Sequence, residues 1–466
     1  MTGELSTSHV DPFEQVRDAL RRHYGGHPWL IATDVLVSGG RLAQRLAAVG
    51  AERCFIVASY RGTGPEPDPE LAAWHLLGLP KVGMMAAIHA SQSALQSLPD
   101  EAVRAVHAFD TEERMRVLGA IFSNGLSVAG RPFFGARRAN WQALEDKVVI
   151  DDVWDAAGVA RVPSRVVGVD GERLWAAHLA MDEGSGTVWA GDMREGFHGG
   201  AHLTFWVRHK ASMEHALACL LLACDTARVM PFMDGLPCSM HGLVMPDLVI
   251  TTRPAELLTM RSARGNGFVY ARAASTWRPD ASVLDDLRAM TVQVGEHLRG
   301  SVGYRGAFTI DGVMTASGFR PTELNPRVGA AMGLVFPGID CPLFNALIIE
   351  GVEINVDAHR LQAALRQRSM AGARAGATFV TQAVLELSDE VPVRWTGENW
   401  EECDEHRSHG AAFWGPGPSG GYGGLYVRPE HLELGPAFGA RAASFLAWID
   451  ARLGLDLGHL EAALEV

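Results

Sequence analysis

The sequence predicts an α/β protein of several packed units, and three observations lead there. Apolar runs alternate with helical patterns through the first third of the chain, as in units that build parallel sheets. Gly- and Pro-rich turns separate those runs at short spacing. The chain is also long, with 466 residues, 47% hydrophobic and 20% charged. That exceeds one ordinary core and is globular rather than disordered composition.

Taken in order, Trp29–Val37 reads as a strand, Ser38-Gly39-Gly40 opens a helix through Val49, and Cys54–Ser59 is a second strand. The loop Arg61-Gly62-Thr63-Gly64-Pro65 follows, then helical patterns over Glu70–Leu77 and Thr111–Phe122. A second segment starts near Pro132. Asp146–Ala157 reads as a helix with Gly158 placed to end it. Val162–Val169 reads as a strand, Glu172–Met181 as a helix and Gly186–Gly191 as a short strand, before a glycine-rich turn over 194–200. A helix at Met213–Ala223, strands at Thr226–Met233 and Pro237–Thr252, a helix at Ala281–Arg299 and a hairpin over Tyr304–Asn325 complete it. Beyond Ile348 the composition shifts, with a Gly/Pro-rich loop at Gly415–Gly424 and a last helix near Ala437–Leu453. The expected units are an N-terminal Rossmann-like α/β domain over 1–131, a two-part domain over 132–350 with a lid at about 160–225, and a C-terminal domain over 351–466.

Composition narrows the function. A formal charge of −13 argues against nucleic acid as a partner, since phosphate backbones need clustered cations. No run approaches the ~20 apolar residues of a membrane span, and the polar stretch Met1–Asp11 lacks the pattern of a signal peptide. Cys54, Cys219, Cys224, Cys238, Cys341 and Cys403 form no CxxC pair and read as reduced residues of a cytoplasmic protein. Only Lys81, Lys147 and Lys210 are lysines among 41 basic residues. A lysine at a chemically sensible place is therefore unlikely to be background.

The most informative run is Gly306 to Arg327. Two strands flank a turn at Thr315–Gly318. Glu323 and Asn325 are two apart and share a strand face, and antiparallel pairing brings Asp311 beside them. Two carboxylates and an amide are hard ligands suited to Mg²⁺, which also holds phosphate oxygens. Arg327 follows, able to neutralise a phosphoryl group or steer a carboxylate.

Here the sequence resembles the ATP-grasp superfamily, whose members carry an acid on one strand and an E-x-N-x-R run on the next. Upstream, Phe134-Gly135, Asp146-Lys147, Ala157-Gly158-Val159 and Pro163-Ser164 look like the entry to the nucleotide-binding region of biotin-carboxylase-like members. The resemblance implies ATP and Mg²⁺ as cofactors, with Asp311, Glu323 and Asn325 as metal ligands and Arg327 as the catalytic cation. It implies nucleotide contacts from Lys147, Arg194, Gly196, His198, Gly199, Gly200 and Asp234. Arg253, Arg261 and Arg320 are expected as substrate anchors. Two departures stand out. Members usually carry a second lysine on the strand before the glycine-rich loop, where Val188-Trp189-Ala190 offers none, so Arg194 or Lys210 is expected to take its place. They also carry a hinge acid where Pro231 stands.

The implied activity is ADP-forming ligation of a small carboxylate to an amine through an acyl phosphate. Gly130–Pro132, Trp189–Asp192, His241-Gly242 and Arg253-Pro254 resemble ligases of specialised peptides. A carboxylase acting through carboxyphosphate and a regulator that only binds nucleotide are the alternatives. Small-molecule substrates without nucleic acid or membrane are the expected partners, and a homodimer is one expected state.

Overall fold

The computed structural model describes residues 10–119, 127–262 and 267–463. The first unit is a parallel sheet in the order Ala72–Leu76, Cys54–Tyr60, Trp29–Val35, Arg116–Gly119. The central strand Cys54–Tyr60 is buried throughout and Trp29–Val35 over its first four residues, as parallel strands covered on both faces must be, and helices Leu36–Ala48 and Met84–Gln96 pack on them. The helix expected over Glu70–Leu77 is instead the edge strand Ala72–Leu76, paired with Cys54–Ala58. Sheet pairing there outweighs local helical propensity. The helix expected over Thr111–Phe122 is likewise replaced. Helix Asp100–Phe109 ends at Asp110, whose carboxylate accepts from the amides of Arg114 and Met115 and starts the strand Arg116–Gly119. Residues 120–122 of that expectation lie outside the described ones.

The second unit is an antiparallel sheet, ordered Arg165–Gly168, Thr226–Pro231, Thr187–Gly191, Thr204–Val207. Helices Gly171–Met181 and Lys210–Ala223 cover one face. Gly235 passes the chain from this second sheet into the central sheet. Its φ of +148° suits glycine, and a Cβ there would lie 2.1 Å from the Met314 carbonyl oxygen.

The central sheet runs Phe268–Ala274, Ala255–Ser262, Leu236–Val244, Gly306–Thr315, Gly318–Asn325. The buried side of Ala281–Val302 packs on Leu236–Val244. A fourth sheet, Gly376–Thr381, Gly420–Val427, Gly410–Gly417, Asp389–Trp395, Trp400–Glu402, is backed by helix Gly439–Leu453. The loop expected at Gly415–Gly424 is the tight end of the hairpin Gly410–Gly417/Gly420–Val427. Glycine at Gly423 and Gly424 lets strands approach where a Cβ would lie 2.4 Å from a backbone oxygen. No helix among the described residues is long and apolar enough to cross a membrane. The six cysteines are unpaired.

Arg253 was expected near a substrate. It is instead buried against helix Ala358–Met370, donating to the Ser369 and Gly372 carbonyls at 2.6 and 3.2 Å. Burial pushes its pKa down to about 9. Arg253→Ala should cost about 2–3 kcal/mol through orphaned carbonyls and a cavity, read as a lowered urea midpoint, while nucleotide affinity stays unchanged.

Candidate active site

The hairpin Gly306–Thr315/Gly318–Asn325 brings the acids together as its register demands. Asp311 lies opposite Glu323, and Thr309 opposite Asn325. Two carboxylates held face to face repel, and burial strengthens the repulsion. Cations answer it. Lys147 Nζ lies 3.4 Å from Glu323 Oε2 with the lysine only 8% exposed. Arg327 donates to Asn325 Oδ1 at 2.7 Å, and Asn325 Nδ2 donates to Asp311 Oδ2 at 2.9 Å. Burial and then the Glu323 charge push the Asp311 pKa up. Burial would raise Glu323 too, but Lys147 and Arg327 hold it below its ordinary value.

Lys147 reaches this point because its segment is pinned. The buried Trp141 stacks edge-on with Tyr304 at 4.9 Å and donates to the Val302 carbonyl at 3.1 Å. Asp146 accepts from Val148 N at 3.2 Å, so Lys147 sits in the turn before helix Ile150–Ala157 rather than at its first residue. Nearby, buried Glu145 receives Arg137 at 2.5 Å and Arg327 at 3.2 Å, which fixes the Arg327 guanidinium.

Lys147, Asp311, Glu323, Asn325 and Arg327 line a cavity of about 300 Å³ between the second and central sheets. Part of its lining is apolar, with Val188, Met230, Phe232, Leu257 and Phe268. Phe232 stacks on Trp206 at 4.1 Å, and Arg261 covers both rings. The glycine-rich loop contributes Gly199 and Gly200. Phe197 anchors that loop, its carbonyl 2.9 Å from His89 Nε2 and its ring 5.5 Å from the Arg327 guanidinium. His198 is buried with Nε2 3.2 Å from the Asp192 carbonyl, and burial and the Lys147 charge lower its pKa to about 4. His241 lies between Thr309 Oγ1 and Ser239 Oγ at 2.9 and 3.0 Å, and burial lowers it to about 3.

The structure brings Lys147, Arg261, Asp311, Glu323, Asn325, Arg327, Gly199 and Gly200 to one cavity. It does not bring all the expected residues there. Arg194 turns outward to Asp225 and the Leu222 carbonyl. Gly196 is not among the lining residues, and exposed Lys210 heads the helix Lys210–Ala223. Arg320 bonds the Ser317 and Phe319 carbonyls of its own hairpin. Asp234 pairs with Arg261 at 2.7 Å outside the cavity lining.

Sequence reasoning missed Arg228. On the strand Thr187–Gly191, Val188 and Ala190 face the cavity, and Arg228 is the cross-strand neighbour of Ala190. Fully buried, it is held by both Asp151 oxygens, at 3.1 and 2.6 Å, and the Thr322 carbonyl at 3.2 Å. A lone arginine inside the apolar strand Thr226–Pro231 was the available signal.

The donor set fits a hard divalent cation in its chemistry, since Asp311 and Glu323 present opposed carboxylate oxygens on the cavity wall. The Asn325 amide has its oxygen toward Arg327, so its use as a ligand requires the amide turned end for end.

His198 and His241 titrate in the folded protein well below the unfolded histidine range of about 6.5. Their contribution is therefore intact above that range and lost as pH falls toward 4 and then 3. Each adds up to about 1.4 kcal/mol of destabilisation per pH unit. Urea midpoints should fall steadily between pH 6.5 and 4, and His241→Gln should flatten that slope.

No family model matches the sequence, and no curated protein matches it. Solved structures do. The biotin carboxylase domain of the 2-oxoglutarate carboxylase of Hydrogenobacter thermophilus, in complex with MgADP, ADP and bicarbonate, aligns at TM-score 0.51 and 10% identity, covering 86% of each chain. The carboxyaminoimidazole ribonucleotide synthase of Aspergillus clavatus with ATP gives TM-score 0.49 at 9% identity, over 92% of this chain and 100% of that one. An L-amino acid ligase of Bacillus licheniformis gives 0.47 at 11%, over 94% and 100%. At 10% identity the likeness to the biotin carboxylase domain concerns architecture alone, and with a parallel N-terminal sheet, a four-stranded antiparallel sheet and a central antiparallel sheet carrying the acids, the chain has the ATP-grasp fold.

Proposed function

We infer that the chain is an ATP-dependent ligase that joins a small carboxylate to an amine through an acyl phosphate, releasing ADP and phosphate. The observation that carries this reading is the opposed pair Asp311/Glu323, balanced by buried Lys147 and Arg327 in a cavity with one apolar and one charged part. In this reading the flat base lies among Met230, Phe232, Leu257 and Phe268. Lys147, Arg228 and the Gly199–Gly200 backbone meet the phosphates, where closely approaching amides and cations stabilise anions.

Asp311 and Glu323 would hold Mg²⁺, which when bound neutralises phosphate charge and orients the nucleotide. Arg327, fixed by Glu145, is placed to stabilise charge as the γ-phosphoryl reaches the carboxylate. The loop anchored by Phe197 covers the site and excludes water, which would otherwise hydrolyse the activated acid. Neutral His198 beneath that loop adds no charge beside Lys147. Arg228 supplies a cation beside the strand where Val188 and Ala190 stand, which favours a working enzyme over a regulator that only binds nucleotide.

ADP release with ATP and Mg²⁺ should require both a carboxylate and an amine. Glu323→Gln should lower it by a factor on the order of 100 while nucleotide still binds. Nucleotide binding without ADP release for any substrate pair in the wild type would replace this reading with the regulatory one.

A further inference from the structure

A second and larger cavity, of about 1000 Å³, lies between the first and fourth sheets. Asp34, Val35 and Tyr60 line it where the parallel strands Trp29–Val35 and Cys54–Tyr60 end. Crevices outside the carboxyl ends of parallel strands are where open α/β sheets take ligands. The opposite wall is the hairpin of the fourth sheet, through Phe413 and Tyr422. The two walls are stitched together at the rim. Thr63 Oγ1 donates to the Pro416 carbonyl at 2.5 Å, and Val82 N to the Pro418 carbonyl at 3.3 Å.

Arg272 connects this cavity to the first one. Tyr270 of the strand Phe268–Ala274 lines the first cavity, and Arg272, two residues on, lines the second. Leu257 pairs with Ala273 but Thr259 with Tyr270, so Ala271 and Arg272 together oppose the single residue Leu258. That is a β-bulge, a device that re-aims a side chain. Arg272 has φ +119°, a conformation costly for any residue but glycine. Among the described residues no carboxylate pairs with its guanidinium. A strained, exposed and unpaired arginine at the junction of two cavities calls for an anion. At the far side, Asp34 Oδ1 accepts from Ser91 at 2.6 Å, which leaves its other oxygen for a donor. The helix Met84–Gln96 lines the cavity through Met84 and Ile88 and holds the glycine-rich loop through His89. The wall of this cavity and the glycine-rich loop beside the first therefore share one helix.

We propose that this second cavity binds the carboxylate substrate, an acid with an aromatic or apolar body, and that Arg272 holds its carboxylate toward Asp311 and Glu323. The body lies against Phe413 and Tyr422, and Asp34 meets an ammonium where the substrate has one. The proposal rests on the ligase reading for its chemistry, but its binding statement can be tested alone. Arg272→Gly suits the φ angle, so it should keep or raise thermal stability while removing the cation.

Calorimetric titration without ATP, using phenylalanine and 3-phenylpropionate as probes, should show binding to wild type and about 10- to 100-fold weaker binding to Arg272→Gly, as for loss of a charge-assisted contact. Asp34→Asn should weaken phenylalanine and leave 3-phenylpropionate unchanged. Hydroxylamine trapping with ATP should then give the hydroxamate, with the carboxylate KM raised in Arg272→Gly and the ATP KM unchanged. Unaltered affinities in a folded Arg272→Gly, or no binding of either probe to wild type, overturn the proposal. Binding that follows this pattern without hydroxamate in wild type would overturn the ligase reading and leave the cavity assignment standing.

Discussion

Everything in the charged half of the site depends on one unfavourable contact, the facing of Asp311 and Glu323 across two antiparallel strands. In water such a pair would cost little, but in a buried cleft each carboxylate raises the free energy of the other. The surrounding sequence is arranged around that fact. Trp141 pins the turn that delivers Lys147, and Glu145 holds Arg327 against Asn325. The result is a site whose charges are placed before any ligand arrives, so little reorganisation of these side chains is left for binding one.

The second sheet is tied to its neighbours by another charged residue. The strand Thr187–Gly191 turns Val188 and Ala190 to the cavity, and Arg228 stands beside Ala190 on the neighbouring strand. Lysine could sit there only as a point charge. Arginine's planar fork reaches both Asp151 oxygens and the Thr322 carbonyl at once, which ties its strand to helix Ile150–Ala157 and to the carboxylate hairpin. The same residue thus joins the two sheets that enclose the cavity.

The C-terminal sheet has its own place in this arrangement. Its Gly-rich hairpin lies against the loop Arg61–Pro65 of the first sheet through Thr63, so the first and fourth sheets face each other across the larger cavity. Among the described non-glycine residues Arg272 has the largest positive φ, +119°, and it lies in the bulge of the strand that lines both cavities.

Much of the site was legible because its parts are close in sequence. Asp311, Glu323, Asn325 and Arg327 belong to one hairpin, and a two-residue side-chain period is enough to place them on one face. Lys147 was legible because lysine is scarce in this chain. Helix ends were legible too, as at Gly158, where φ is +68°. What sequence could not show were the relations between distant segments. Whether Ala72–Leu76 is strand or helix depends on Cys54–Ala58 lying beside it, and local propensity is weaker than that pairing. Arg253 and Arg320 read as substrate anchors until their partners proved to be backbone carbonyls. Arg228 and Arg272 gain their meaning only from the strands across from them. Local order and charged residue types are carried by neighbours in the chain, whereas burial, pairing and the shape of a cavity arise from segments that meet only when the chain is folded.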